Sequence, residues 1–110
     1  MDDLDRIART EAIFREVNEA IAETAGRMEA EETEFVCECA DAECADRIPA
    51  PLADYERVRR HPTRFLLTHG HEHPRVERVV ARTEAYAVVE KFEHTVAEIV
   101  GRLDPRTEPA

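Results

Sequence analysis

No serine, glutamine or tryptophan occurs in this 110-residue chain, and Lys91 is the one lysine against fourteen arginines. The missing serine removes every serine-nucleophile mechanism. The lysine-poor, arginine-rich skew is what a GC-rich genome produces. Aromatic residues are scarce at 5%, so the core has to be thin and aliphatic. There is no basic surplus: the net charge is −10, whereas nucleic-acid binding needs cations to displace counterions. No apolar run approaches the ~20 residues needed to span a bilayer. The opening Met1-Asp2-Asp3-Leu4-Asp5 is acidic where a signal peptide is basic. These absences predict a cytoplasmic protein with no membrane partner. Thiols stay reduced in that compartment, so three cysteines within eight residues point to a metal before a disulfide.

What remains reads as one domain, at a size that benefits from a staple. The expected fold class is α+β: a long N-terminal helix, then a small, mainly antiparallel zinc-stapled sheet with a short helix. Residues 1–32 form the helical unit, 33–103 the small domain and 104–110 a frayed tail. Ile7, Phe14, Ile21 and Met28 recur every seven residues, flanked by Leu4, Ile13, Val17, Ala20 and Ala25. This is an amphipathic helix over 3–30, with Gly26 a possible earlier end. At 1.5 Å per residue it is ~40 Å long. That exceeds the expected body and leaves an overhang to pair with a second copy or dock a protein partner.

Residues 33–39 alternate as a strand that puts Cys37 and Cys39 on one face. Residues 47–50 are a short edge strand containing Pro49. A short helix follows over 54–60, then a strand over 64–67. The arginines 57, 59, 60 and 64 read as a solvated face, or as a local basic spot. Residues 76–82 and 86–91 form a hairpin, with a helix over 74–82 as the competing reading. A last helix covers 95–103.

Cys37, Cys39 and Cys44 form a C-x-C-x4-C group, and a closed zinc site needs one more ligand from a distant segment. His69, His71 and His73 share one loop, where Gly70 permits a sharp turn. His71 is the first choice because it directly follows that glycine, with His69 and His73 as substitutes. His61 and His94 rank lower. Backbone N–H groups of the 41–45 turn are expected to offset the site's charge of about −1. The bland alternative is three buried thiols acting as small hydrophobes.

The histidine loop imitates a different metal motif. His69 and His71 match the start of the H-x-H-x-D-H pattern of metallo-β-lactamase-fold hydrolases. However, His73 and Pro74 stand where that pattern needs Asp and His, and the chain is far too short for that fold. The zinc-deaminase signature is absent as well.

The runs Phe35-Val36-Cys37-Glu38-Cys39-Ala40-Asp41 with Cys44, Tyr55-Glu56-Arg57-Val58-Arg59, Pro62-Thr63-Arg64-Phe65, Gly70-His71-Glu72 and Val88-Val89-Glu90-Lys91 occur in this order. The set resembles a family of small uncharacterised proteins of high-GC Gram-positive bacteria, over roughly residues 10 to 92. In that family a proline precedes Gly-His-Glu, and His69 replaces it here. The resemblance implies that His71 is the family's histidine and His69 an addition. It implies no activity.

The expected function is therefore a non-enzymatic zinc-binding interaction or regulatory protein with a structural site of Cys37, Cys39, Cys44 and His71. No catalytic residue is assigned. The alternative is a thiol/zinc redox sensor, or a small zinc enzyme with an open coordination position and Glu72 as base.

Overall fold

The structure, a computed structural model, describes residues 3–106. Helix α1 spans Asp3–Arg27, with Asp3 and Asp5 at its positive end and Arg27 in its last turn. It stops at a Schellman-type turn. Ala30 N–H donates to Ala25 O and Glu29 N–H to Gly26 O, with Glu29 itself left-handed at φ 54°. Gly26 thus lies inside the last turn and does not end the helix.

The strands β1 (Glu32–Val36) and β2 (Arg47–Pro51) pair antiparallel. Cys37 N–H donates to Asp46 O and Leu52 N–H to Glu31 O. This parity turns Pro49 and Pro51 to the outer edge, where no donor is needed. Helix α2 (Leu52–Val58) leads to β3 (Arg64–Leu67), then to the hairpin of β4 (Glu77–Arg82) and β5 (Ala87–Lys91). The second sheet has the order β3-β5-β4, all antiparallel, with a bulge between Val79 and Ala81. Thr83 Oγ1 accepts from Ala85 N–H and Tyr86 N–H and closes the hairpin. The helix considered over 74–82 therefore does not form. Helix α3 (His94–Arg102) is capped by Glu93, whose carboxylate accepts from Thr95 and Val96 N–H. The α+β architecture is as expected, with its strands divided between two small sheets.

Helix α1 packs on α3 and β1. Its buried face only partly coincides with the apolar stripe read from the sequence: Ile7 and Ala25 are buried, and Leu4 and Ile21 pack against the core. Glu11, Arg15 and Asn18 are wholly buried, while Ile13, Val17 and Met28 are 61%, 42% and 74% exposed. Each buried polar group has a partner. Arg15 donates to Pro62 O and Val100 O and lies over the Phe65 ring. Lys91 pairs with Glu11 at 2.7 Å and with Glu77. Its 25 residues rise ~37 Å, nearly the 40 Å longest dimension of the molecule.

The arginine cluster is only in part a solvated face: Arg57 and Arg60 are exposed, but Arg59 is not. Arg59 is buried between Glu19 and Asp104, Arg57 pairs with Asp54, and Arg64 pairs with Glu90. The start of the expected frayed tail is held down, because Asp104 is buried and Arg106 clasps Glu19 and Glu56. Residues 107–110 of that tail lie outside the described residues. No described helix is long and apolar enough to cross a membrane.

Candidate metal centre

Strand β1 ends at Val36, so Cys37 and Cys39 stand just beyond it, not within it. The chain nevertheless stays extended. Cys37 N–H continues the ladder to Asp46 O at 3.1 Å, and Glu38 N–H crosses to Leu66 O on β3 at 2.9 Å. Residues 37–39 therefore bridge the two sheets, and period-2 alternation sends both thiols one way and Glu38 the other.

Glu38 anchors the bridge. Its fully buried carboxylate accepts from Leu66 N–H at 2.9 Å, Asn18 Nδ2 at 2.8 Å and the Tyr55 hydroxyl at 2.8 Å. Burial pushes this carboxyl up from its ordinary value, and those three donors oppose the shift. Asn18 also donates to Val36 O and accepts from Val36 N–H, both at 2.8 Å. One side chain of α1 thus completes the free edge of β1 and orients Glu38.

Cys44 arrives on an Asx turn. Asp41 Oδ1 accepts from Glu43 N–H at 2.9 Å, and Asp41 O accepts from Cys44 N–H at 3.0 Å. His71 arrives on a second turn, where Gly70 is left-handed at φ 84° and His71 N–H donates to Thr68 O at 3.1 Å.

Cys37, Cys39, Cys44 and His71 offer ligand atoms that all lie within 4.8 Å of one another, close enough to hold a metal ion. His71 Nδ1 is 3.5 Å from Cys37 Sγ and 3.7 Å from Cys44 Sγ. A tetrahedron with Zn–S of ~2.3 Å and Zn–N of ~2.05 Å has S···N edges of about 3.6 Å. The two His71–sulfur distances match such edges, and the four donors together are close enough to hold one ion. Thiol hydrogen bonding does not account for this, because one imidazole nitrogen has one in-plane lone pair and two sulfurs approach it.

Without an ion, burial keeps the thiols protonated. Burial raises the Cys37 thiol above its ordinary value, partly opposed by Thr68 N–H, which reaches its sulfur at 3.2 Å. Burial raises Cys39 further, opposed by the Asp41 backbone contact, while the neighbouring cysteines add to the rise. A divalent ion reverses this balance by deprotonating the thiols that coordinate it. The expected donation by the 41–45 turn is not what is found. Its Glu43 and Cys44 N–H groups serve Asp41, and the donor to a sulfur is Thr68 N–H from the opposite loop.

The remaining histidines are elsewhere. His69 Nε2 meets Thr83 O at 2.8 Å, His94 faces Glu98, and His61 and His73 are outside the cluster. Glu72 supplies no ligand atom; with Asp41 and His73 it lines a cleft of about 390 Å³ beside Cys39 and His71. The sequence reading missed Asp46, whose carboxylate lies 3.5 Å from His71 Nε2. A carboxylate behind a ligating imidazole fixes its tautomer and raises its basicity. Only its position two residues after Cys44 hinted at this. Asn18 and Glu38 were missed as well.

No protein-family model matches the chain, and no curated protein or solved structure matches it.

Proposed function

We propose that the chain is a non-enzymatic, zinc-stapled interaction protein. The observation that carries this reading is the set of three sulfurs and one imidazole nitrogen whose ligand atoms all lie within 4.8 Å of one another. A thiolate-rich tetrahedral set suits zinc, and four protein donors leave no open position for chemistry. The ion would join the bridge between the sheets, the Asx turn and the histidine loop. Function then rests on the surface so held, with the exposed apolar line of α1 as the docking face.

The test is metal analysis of untagged protein, wild type beside His71→Ala. One zinc per wild-type chain is expected, with affinity in the variant lower by tenfold or more. Undiminished zinc retention by His71→Ala would overturn the closed site and favour an open one with Glu72 as base.

A second reading has one observation in its favour: the cleft reaches Cys39, and Cys44 is only half-buried. In a thiol/zinc sensor, two thiolates would reduce one hydroperoxide, forming a disulfide and releasing zinc. Stoichiometric zinc release at low peroxide supports that reading. Retention through a large excess of peroxide removes it.

A further inference from the structure

The outward face of α1 runs Ile13, Val17, Ala20, Ile21, Thr24 and Met28. The residues from Val17 to Met28 border a groove of about 620 Å³ shared with β1. Ile13, 61% exposed, stands just outside that groove, beside the half-exposed Leu103 of α3. One straight helix thus carries a projecting side chain towards one end and a hollow towards the other.

Such a face is self-complementary under a two-fold axis. With two α1 helices antiparallel and the axis beside Glu16 and Val17, Ile13 of each copy faces the partner's hollow between Val17, Ala20, Ile21 and Thr24. This is the knob-and-hole relation of paired helices.

The charges on the border agree with that register. Arg9, Glu16 and Glu23 run along one side at intervals of seven residues. The same axis brings Arg9 of one copy to Glu23 of the other, twice per pair. It also sets Glu16 against its own mate, one like-charge contact between two opposite-charge contacts. Arg9 and Glu23 are solvent-exposed and held only by neighbours on their own helix, Asp5 and Arg27. They are therefore available to a partner.

We infer that α1 is a homodimerisation element, pairing antiparallel with a second copy of this chain about Val17. The inference rests on the interaction-protein reading above and names its partner. Pairing about Val17 overlaps residues 7–27, and a strip ~32 Å long and ~15 Å wide buries roughly 480 Å² per copy. That is at the small end of specific interfaces, so the dimer should be reversible in the micromolar range.

Sedimentation of the zinc-loaded full chain from about 1 to 200 µM reads the equilibrium, with zinc content and circular dichroism recorded on each sample. Arg9→Glu and Glu23→Arg should each weaken the dimer about fivefold or more. The double variant should return to within about twofold of wild type, since the pair is exchanged across the interface. Glu16→Gln should tighten it about twofold by relieving the like-charge contact. A zinc-loaded chain that stays monomeric throughout would overturn the self-pairing while leaving the staple intact. So would charge reversals whose effects add without rescue. Loss of zinc from folded wild-type protein would instead indict the interaction-protein reading beneath it.

Discussion

Asp46 and Glu11 show how much a single carboxylate can govern here. Asp46 faces the far nitrogen of His71, which leaves Nδ1 turned to the sulfurs of Cys37 and Cys44. Asp46→Asn should lower zinc affinity about tenfold without unfolding the chain, by competition with a chromophoric chelator. Glu11 lies in the core with Lys91 and Glu77. Burial pushes its carboxyl up to about 8 from an ordinary 4.5, against the pull of Lys91 and with a further push from Glu77. Folding therefore keeps a proton that the unfolded chain releases. The stability this adds is present below the unfolded value of 4.5 and is lost as pH rises towards 8. Wild type should lose stability relative to Glu11→Gln as pH rises between those limits. Paired thermal melts at saturating zinc would read this, because the metal-linked pH dependence is common to both proteins.

Among the elements, α1 departs furthest from its sequence pattern. A heptad line of apolar residues is visible, yet the helix buries a neighbouring face that includes Glu11, Arg15 and Asn18. It can do so because partners await each group: Lys91, two carbonyl oxygens, and the edge of β1 with Glu38. These partners offset part of the cost of burial, although Glu11 Oε2 and Arg15 Nε have no hydrogen-bond partner among the described residues, and they fix one angle of approach to the body. The end of α1 carries a removable cost. Glu29 sits at φ 54°, where a side chain is disfavoured and glycine is the usual occupant. Glu29→Gly should raise stability by about 0.5–1 kcal/mol in urea unfolding, with an unchanged dependence on denaturant. A decrease would mean that the Glu29 side chain makes contacts worth more than the strain.

At the scale of the whole molecule, the candidate metal centre lies where its two sheets meet. Residues 37–46 and 68–73 surround it, tied to the sheets by backbone hydrogen bonds and Glu38, with Cys37 and Cys39 also packed in the core. Helix α1 with α3, and β3 with β5 and β4, have packing of their own. Chelation should therefore loosen the molecule unevenly. Amide exchange in 37–46 and 68–73 should speed up at least tenfold, with a smaller change in the buried turns of α1. The melting temperature should fall by about 10 °C or more, because zinc binding to a folded site adds directly to folding free energy. Uniform exchange across the chain would show that zinc holds all of the fold and not one junction.

Much of this was present in the sequence alone. Hydrophobic period and turn residues were enough to mark α1, the hairpin of β4 and β5, and α3, because those signals are local. The C-x-C-x4-C spacing and the glycine before His71 were enough to nominate four donors, since ligand chemistry and turn geometry also act over short distances. The orientation of α1 was not legible. Three of its buried residues, Glu11, Arg15 and Asn18, are polar, and their partners come from segments 18 to 85 residues away in sequence. Nor were the bridge at residues 37–39, the burial of Lys91 and Arg59, or the place of Asp46 behind His71. Each depends on a long-range partner satisfying a charge or a hydrogen bond, and only the folded chain brings that partner near.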